Sequence, residues 1–456
     1  MKTLNVYVPF VFSEKIDPRA VYTVGDQLVS EHIFAFHNSV SAKKAVQPLF
    51  SNIIIDKINN LLTIDFLREI FNSDGHLLDI NEICSSIKSS FAGTQHTNYK
   101  SLVESIDCQN RKIKIKFSTI PINLEYWLRS TDFAIFDTKK LPLSKSSLQP
   151  TTGPYTLTYM DSLKVELTAN KFFPKEFVSN EVEKVILKSY PASDIDSIFK
   201  KEDVDLAYLY GYSIRPELIN ELKGKNFKIQ VFPNEWLMYL GFQKSVDLES
   251  RNLIASKIDT LRNSFKNKIV YGSTAYSTIP SDRAYGLTEA EYEKLKTPVK
   301  SGNLKNKLTI STLDEWAQIP LFSYILEELK KELNIELKLV SRKDMNKIYS
   351  QDEADFYLSP MGVSAADPLG NYSFFFMYDE LFKKVLSEEL LVSLYKEKDF
   401  HKFSLRIKDI EIQLLQERVI VPIGHFPGIV IESQKVIRDE SKSWDWGIQA
   451  WTYKII

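Results

Sequence analysis

The sequence has little of what metal sites, redox centres and polyanion-binding surfaces require. Its 456 residues include two cysteines, Cys84 and Cys108, and six histidines. No CxxC or HExxH motif occurs, and Cys and His do not cluster, which argues against a structural zinc site. Lys and Arg number 58 against 59 Asp and Glu. This balance argues against a nucleic-acid-binding protein, which normally carries a basic excess.

Motifs for catalysis and nucleotide binding are also absent. The sequence contains no GxxxxGK[ST] phosphate loop, no strand-turn-helix GxGxxG and no GxSxG nucleophile elbow. Acidic pairs such as Asp203 and Asp205 lie in charged turns, whereas acid–base catalysis needs a cleft and a perturbed pKa. We therefore expect neither an enzyme nor a cofactor, and the sequence favours a binding protein.

Long hydrophobic runs are missing too, since no apolar stretch is long enough to cross a bilayer. Residues 1–10 alternate like a strand and lack the hydrophobic region and small-residue cleavage site of a signal peptide. Two expectations stay open at this point. Either the protein acts in the cytoplasm, or a targeting segment was removed ahead of residue 1.

What is present is a long chain of mixed α/β character. Its length exceeds what one hydrophobic core supports, so two or three lobes are expected. The 22 Tyr and 28 Phe either fill cores or line a large ligand cavity. Residues 308–340 alternate strand, helix and strand, a pattern typical of an α/β lobe.

A turn at Gly153 separates two kinds of sequence. Gly153 permits a positive φ, and Pro154 restricts the residue before it. The five residues after Pro154 are β-branched or aromatic for the most part and predict a strand. Earlier in the chain, residues 72–75 predict a hairpin turn. Asp79 followed by Glu82 then predicts a helix with a capping box.

Several short motifs follow one another along the chain. They are Ile16-Asp17-Pro18, Arg68 to Leu78 with Asp74-Gly75, Thr151-Thr152-Gly153-Pro154-Tyr155, Glu202-Asp203-Val204-Asp205-Leu206-Ala207, Tyr239-Leu240-Gly241-Phe242-Gln243, Asp355 to Phe376, and Trp444 to Trp451. Each motif is short, but their order spans nearly the whole chain. In that order they resemble the family 5 extracellular solute-binding proteins, the dipeptide- and oligopeptide-binding components of ABC importers.

The resemblance implies an α/β, two-lobed, periplasmic-binding-protein-like (class II) fold with an additional small α+β domain. The first lobe would comprise residues 1–45, 155–240 and 426–456. The inserted small domain would comprise 46–154, and the second lobe 241–425. On this interpretation the Gly153 turn returns the chain from the small domain to the first lobe.

The resemblance also implies a function. The protein would capture a peptide or similar small solute by hinge closure and deliver it to the permease subunits of an ABC importer. It would act as a monomer in the periplasm or cell envelope, with a signal peptide or lipoprotein anchor already removed. The alternative is a ligand-sensing regulator built on the same domain. No DNA-binding module precedes Leu4, which counts against that alternative.

Candidate ligand contacts follow from the resemblance, position by position. They are Tyr22, Thr23 and Val24 after the Asp-Pro turn, Trp236 and Tyr239 on the segment crossing between lobes, and Met361, Ser364 and Asp367 in the second lobe. For Trp236, packing in the hydrophobic core is as good an interpretation as contact with a ligand. The two cysteines both fall in the small domain. The oxidising compartment of the family allows a disulfide between them, and two buried free thiols are the alternative.

The sequence departs from the family at one position that bears on the ligand. In peptide-binding members, an aspartate four residues before a loop proline pairs with the ligand's ammonium group. Here the proline is Pro368, and the residue four positions before it is Ser364. Loss of such a buried charge pair weakens amine anchoring by roughly 2–5 kcal/mol. Asp367 is an alternative partner, although an aspartate before proline is more often a turn residue.

Overall fold

The computed structural model describes most of the chain. The described residues are 2–20, 23–36, 38–40, 46–48, 50–92, 101–122, 124, 128, 133–179, 181–200, 203–283, 285–296, 304–349, 354–363, 368–378, 380–439 and 448–456. Parts of three sequence motifs, namely Glu202, residues 364–367 and residues 444–447, lie outside them. Among the helices of these residues, none combines the length and the apolar composition needed to cross a membrane.

The strands run through the whole chain. In chain order they are β1 (Thr3–Val8), β2 (Lys15–Ile16), β3 (Asn38–Val40), β4 (Val46–Pro48), β5 (Ser51–Asp56), β6 (Leu61–Phe66), β7 (Val103–Gln109), β8 (Lys112–Phe117), β9 (Leu143–Ser144), β10 (Tyr155–Met160), β11 (Lys164–Ala169), β12 (Lys184–Ser189), β13 (Leu206–Tyr210), β14 (Lys228–Phe242), β15 (Ser273–Thr274), β16 (Leu308–Leu313), β17 (Ile335–Val340), β18 (Phe356–Gly362), β19 (Ile420–Glu432), β20 (Val436–Arg438) and β21 (Tyr453–Ile455).

The helices lie between these strands along the chain, singly or in succession. They are α1 (Val24–Ile33), α2 (Ile80–Ala92), α3 (Ile195–Ile198), α4 (Pro216–Gly224), α5 (Leu248–Lys266), α6 (Glu289–Leu295), α7 (Asp314–Ala317), α8 (Pro320–Glu332), α9 (Pro368–Tyr378), α10 (Phe382–Val385), α11 (Glu388–Tyr395) and α12 (Phe400–Gln416). Short 3₁₀ segments lie at Pro18–Ala20, Thr138–Lys140, Lys175–Phe177, Ala192–Asp194, Gly211–Ser213, Arg342–Tyr349 and Ala450–Thr452.

One large mixed sheet organises the protein. Its order is β10-β11-β12-β1-β13-β19-β14-β18-β16-β17, and β15 pairs with β19. We call the part built on β1 and β10 to β13 the first lobe, and the part built on β15 to β18 the second lobe. β1 pairs in parallel with both β12 and β13, and β16 pairs in parallel with β17 and β18. This is the mixed α/β, two-lobed fold that the resemblance implies.

Two long strands belong to both lobes. β14 and β19 are antiparallel, and their pairing runs from Lys228 opposite Glu432 to Gly241 opposite Ile420. β19 is buried along its whole length. The register of β14 shifts between Phe232 and Trp236, so the ladder is irregular in the middle of the crossing. The lobes are therefore joined through two neighbouring, hydrogen-bonded strands.

A separate sheet forms the small α+β domain. Its order is β5-β6-β8-β7, and α2 packs against it. β8 reads Lys-Ile-Lys-Ile-Lys-Phe, and its Ile and Phe side chains are buried while the lysines face outward, as a strand period of two requires. Cys84 of α2 and Cys108 of β7 form a disulfide with an S–S distance of 2.00 Å. The helix is thus covalently linked to an edge of the sheet.

The Gly153 turn packs directly on the end of α1. The Gly153 N–H donates to the Ile33 carbonyl at 2.8 Å, and the Ala35 N–H donates to Thr152 Oγ1 at 2.9 Å. Among the described glycines, the positive-φ ones are Gly75 and Gly272, so Gly153 does not use that freedom. A Cβ at Gly153 would instead lie 2.4 Å from the Ile33 carbonyl carbon. Glycine is required here by the close approach of two backbones.

Candidate functional site

Rings from several elements meet where β14 crosses between the lobes. We define the aromatic cluster as Phe10, Tyr208, Tyr210, Tyr212 and Trp236. The ring of Tyr210 lies 4.6 Å from that of Trp236 and 4.8 Å from that of Tyr212, measured between centroids. Phe10 lies 5.2 Å from Tyr208 and 6.3 Å from Trp236. All five side chains are buried in the main hydrophobic core, so the cluster is a continuous group of packed rings at the lobe junction.

Hydrogen bonds fix the orientation of these rings. Trp236 Nε1 donates to the hydroxyl of Tyr208 at 2.9 Å, which gives the buried indole the partner that it needs. The hydroxyl of Tyr190 donates to the Tyr208 carbonyl at 2.8 Å. Burial raises the pKa of Tyr190, Tyr210 and Tyr212 above the ordinary tyrosine value. Their hydroxyls are therefore neutral at physiological pH and act as hydrogen-bond donors or acceptors without charge.

The second lobe contributes rings and charges to the same junction. The ring of Phe322, in α8, lies 5.6 Å from that of Tyr212. Glu315, in α7, is buried, and one of its carboxylate oxygens lies 3.5 Å from Arg342 Nη1. Burial raises the pKa of Glu315 to about 7, and the Arg342 guanidinium opposes the rise. The described residues of this junction thus place a carboxyl group and a guanidinium beside apolar rings, residue types that line small-molecule sites.

The structure brings some of the predicted contacts together and separates others. Trp236 stands opposite Gly362, and Leu237 opposite Met361, in the pairing of β14 with β18. Met361 is buried and directly precedes Gly362, the residue that pairs with Trp236. Tyr239 lies three residues beyond Trp236, so the alternation of a strand sends its side chain to the other face. Its ring packs on Tyr357 and Phe375, at 5.8 and 5.3 Å.

The candidates near the N-terminus of α1 have structural roles of their own. Thr23 is the N-cap of α1, where its Oγ1 accepts a hydrogen bond from the Asp26 N–H at 3.0 Å. Val24 is the first residue of the helix and packs, half-buried, against the hydrophobic core. Tyr22, Ser364 and Asp367 lie outside the described residues.

Sequence reasoning missed most of the aromatic cluster. Tyr208, Tyr210 and Tyr212 alternate along and just beyond β13, and this period of two could have shown that they share one face. The motif that we recognised ended at residue 207, directly before Tyr208. Glu315 and Arg342 carried no signal at all, because each stands beside other charged residues in an ordinary helical or loop context.

Metal binding finds no support in the described part of the chain, where no group of three or more His, Cys, Asp or Glu side chains could hold an ion. The two buried histidines have other partners. His32 lies between the Leu28 carbonyl, 2.7 Å away, and the Ala450 N–H, 3.1 Å away. His425 Nε2 lies 3.1 Å from the Ser277 carbonyl. Burial lowers the pKa of each to about 4, so both are neutral at physiological pH.

Comparison with known proteins identifies the fold through solved structures. NikA from Staphylococcus aureus, in complex with Ni(L-His)2, is 18% identical with a TM-score of 0.78, and the match covers 100% of both chains. A dipeptide-binding protein from Pseudoalteromonas sp. SM9913, in complex with Met-Leu, is 11% identical with a TM-score of 0.79 and the same full coverage.

A third similar structure is DppA from Helicobacter pylori, an ABC transporter-associated periplasmic binding protein in complex with the peptide STSA. It is 13% identical with a TM-score of 0.77, and the match covers 99% of this chain and 98% of DppA. No protein-family model matches the chain, and no curated protein matches it. At these identities the likeness is one of fold. The chain has the two-lobed fold of the periplasmic solute-binding proteins over its whole length.

Proposed function

We propose that this chain is the substrate-binding protein of an ABC importer. It captures a peptide or similar small solute between its lobes and delivers it to permease subunits in the membrane. The observation that carries the proposal is the aromatic cluster, which lies where both crossing strands pass between lobes and which Phe322 contacts from the second lobe. The structures that resemble the chain were solved with a peptide, with Met-Leu and with Ni(L-His)2.

The arrangement of strands suggests how capture works. A ligand that contacts both lobes binds the closed state better than the open state, and it shifts the population by that difference in affinity. The irregular ladder between Phe232 and Trp236 is where the crossing strands absorb the change of angle. Closure then buries the ligand against the aromatic cluster and away from water.

The lobe bounds are part of the proposal. They are 1–45, 155–240 and 426–456 for the first lobe, 46–154 for the small domain and 241–425 for the second lobe. Two observations support them. The four strands of the small sheet, β5 to β8, lie within 46–154. The bounds at 240 and 426 fall inside β14 and β19, as a shared crossing requires.

We assign the protein to the periplasm or cell envelope, as a monomer that exchanges ligand with its permease. The disulfide between Cys84 and Cys108 supports this location, because disulfides persist in oxidising compartments and are rare in the cytosol. A cytoplasmic ligand-sensing regulator would keep both thiols reduced. Alkylation of acid-quenched cells tests the assignment, since oxidised cysteines stay unmodified until a reductant is added.

Native mass spectrometry of the purified protein tests the function directly. The complex is measured first, and denaturation then releases any bound compound for identification. A mixture of short peptides supports a peptide carrier, and a single non-peptide compound supports a carrier for another solute. If nothing is released, a thermal-shift screen of dipeptides and small solutes decides. Absence of binding throughout would contradict the proposal.

A substitution at Trp236 tests the position of the site. Trp236→Phe keeps an aromatic ring but removes the hydrogen bond to Tyr208, so we expect the Kd of the recovered ligand to rise about tenfold, which equals about 1.4 kcal/mol. Trp451→Phe is the matched control, because Trp451 is also buried but packs beside His32. Isothermal titration of both variants gives the comparison. Equal affinities would place the site elsewhere.

A further inference from the structure

Arg342 extends from the second lobe to the first. It begins the 3₁₀ segment Arg342–Tyr349 just after β17, and its Nη2 donates to Ser189 Oγ at 3.0 Å. Ser189 is the last residue of β12, in the first lobe. Its hydroxyl donates in turn to the carbonyl oxygen of Phe10, a member of the aromatic cluster. The guanidinium is therefore linked through one hydroxyl to the backbone beside the cluster.

The helix of Glu315 makes a second contact between the same lobes. Glu315 lies in α7 of the second lobe, and α7 packs against the 3₁₀ segment Ala192–Asp194. Ala192 opens the 3₁₀ segment Ala192–Asp194, three residues after Ser189 in the first lobe. Glu315 and Arg342 also contact each other at 3.5 Å. The Arg342–Glu315 pair of the second lobe thus lies against Ser189 and the Ala192–Asp194 segment of the first lobe.

These polar contacts form only when the two lobes are correctly aligned, whereas apolar packing tolerates small shifts between the lobes. The contact of Arg342 with Ser189 is a hydrogen bond from a charged group, which is directional and roughly twice as strong as a neutral one. When the lobes part, Ser189 Oγ loses this partner, and Glu315 and Arg342 return to water. Removing Arg342 alone would leave the Glu315 carboxylate buried without its cation, which penalises the closed state.

We propose that Arg342, Glu315 and Ser189 form an interlobe clasp that sets the balance between the closed and open states before any ligand binds. The clasp keeps the two lobes aligned in the closed state. The ligand then adds its own contacts to a closed state that is already favourable. This inference rests on the proposed hinge closure, but it concerns the ligand-free protein.

The test measures closure without ligand. The protein is freed of bound compounds by denaturation and refolding, and small-angle X-ray scattering then gives its radius of gyration. Hydrogen exchange over the segment from Ser189 to Asp194 reports whether the second lobe covers this side of the first lobe. For Arg342→Ala we expect a larger radius of gyration and about tenfold faster exchange in this segment, because opening of the lobes exposes it to water.

Two further variants make the result specific. Lys343→Ala removes a charge from the next residue of the same segment, which is exposed, and it should change neither measurement. Ser189→Ala removes the acceptor of Arg342 without burying a new charge, so it should open the lobes even if Arg342→Ala fails to fold. Circular dichroism verifies folding in each case. Native values of both measurements for a folded Arg342→Ala and for Ser189→Ala would overturn the clasp.

The clasp and the proposed function fail separately. A protein that binds a recovered solute while Arg342→Ala stays compact would retain the function and lose the clasp. A protein that opens on loss of Arg342 yet binds no solute would retain the clasp and lose the function.

Discussion

Replacing Gly153 with alanine tests the reason for glycine at the turn between the small domain and the first lobe. A Cβ built there lies 2.4 Å from the Ile33 carbonyl carbon, 2.5 Å from the Phe34 nitrogen and 2.8 Å from the Ile33 oxygen. All three atoms are backbone, so no side-chain rotation can relieve the overlap. The two segments would have to move apart.

Three hydrogen bonds resist that movement. They join Gly153 N–H to the Ile33 carbonyl at 2.8 Å, Ala35 N–H to Thr152 Oγ1 at 2.9 Å, and Asn170 Nδ2 to the Gly153 carbonyl at 2.9 Å. Overpacking a tight site costs about 1–3 kcal/mol, and losing a hydrogen bond costs about 1 kcal/mol more. We therefore expect Gly153→Ala to lower the free energy of unfolding by about 3 kcal/mol, the upper end of the overpacking range.

Urea denaturation followed by circular dichroism measures the effect. Gly224→Ala is the matched control, because Gly224 ends α4 and a Cβ there meets nothing within 4 Å. The control should stay within about 0.5 kcal/mol of the native protein. If the two alanine variants have the same midpoint, the close backbone approach at Gly153 is not what requires glycine.

Two more predictions concern buried and bonded groups. Changing Cys84 and Cys108 together to serine should lower the free energy of unfolding by about 3 kcal/mol, because the disulfide closes a loop with a sequence separation of 24. A reductant should lower the urea midpoint of the native protein and leave that of the variant unchanged. Glu31 is buried, its pKa is raised from 4.5 to about 8 by burial, and Gln27 Nε2 donates to it at 3.2 Å. A carboxyl group with a raised pKa in the folded state favours folding less as pH rises from 4.5 to 8, so Glu31→Gln should be more stable than the native protein by about 3 kcal/mol at pH 7. This gain should shrink below about 1 kcal/mol at pH 5, and a gain that is independent of pH would refute the assignment.

Local signals predicted local structure well. The capping box is present as expected: Asp79 Oδ1 accepts from the Glu82 N–H at 2.9 Å, and Glu82 Oε2 accepts from the Asp79 N–H at 2.8 Å. The hairpin at residues 72–75 is also confirmed, with Gly75 at φ 93° and Phe71 bridged to Leu77. Such features depend on residues within one or two turns of each other, so the sequence contains all that determines them.

Long-range placement was harder to predict. The alternation of residues 111–117 predicts an edge strand, whereas β8 lies between β6 and β7 in the interior of the small sheet. Alternation reports which face is buried and not which strands stand on either side. The same limit hid the aromatic cluster, because Phe10 and Trp236 are separated by more than 200 residues and meet only through the order of strands in the sheet.

The paired crossing of β14 and β19 also determines which motions the lobes can make. A ladder of two antiparallel, hydrogen-bonded strands bends readily perpendicular to the plane of the sheet, but it resists sliding of one strand along the other. Sliding one lobe past the other would break the ladder, whereas bending preserves most of it. The lobes should therefore open and close along a single soft direction, with the register of Trp236 against Phe426 kept in both states.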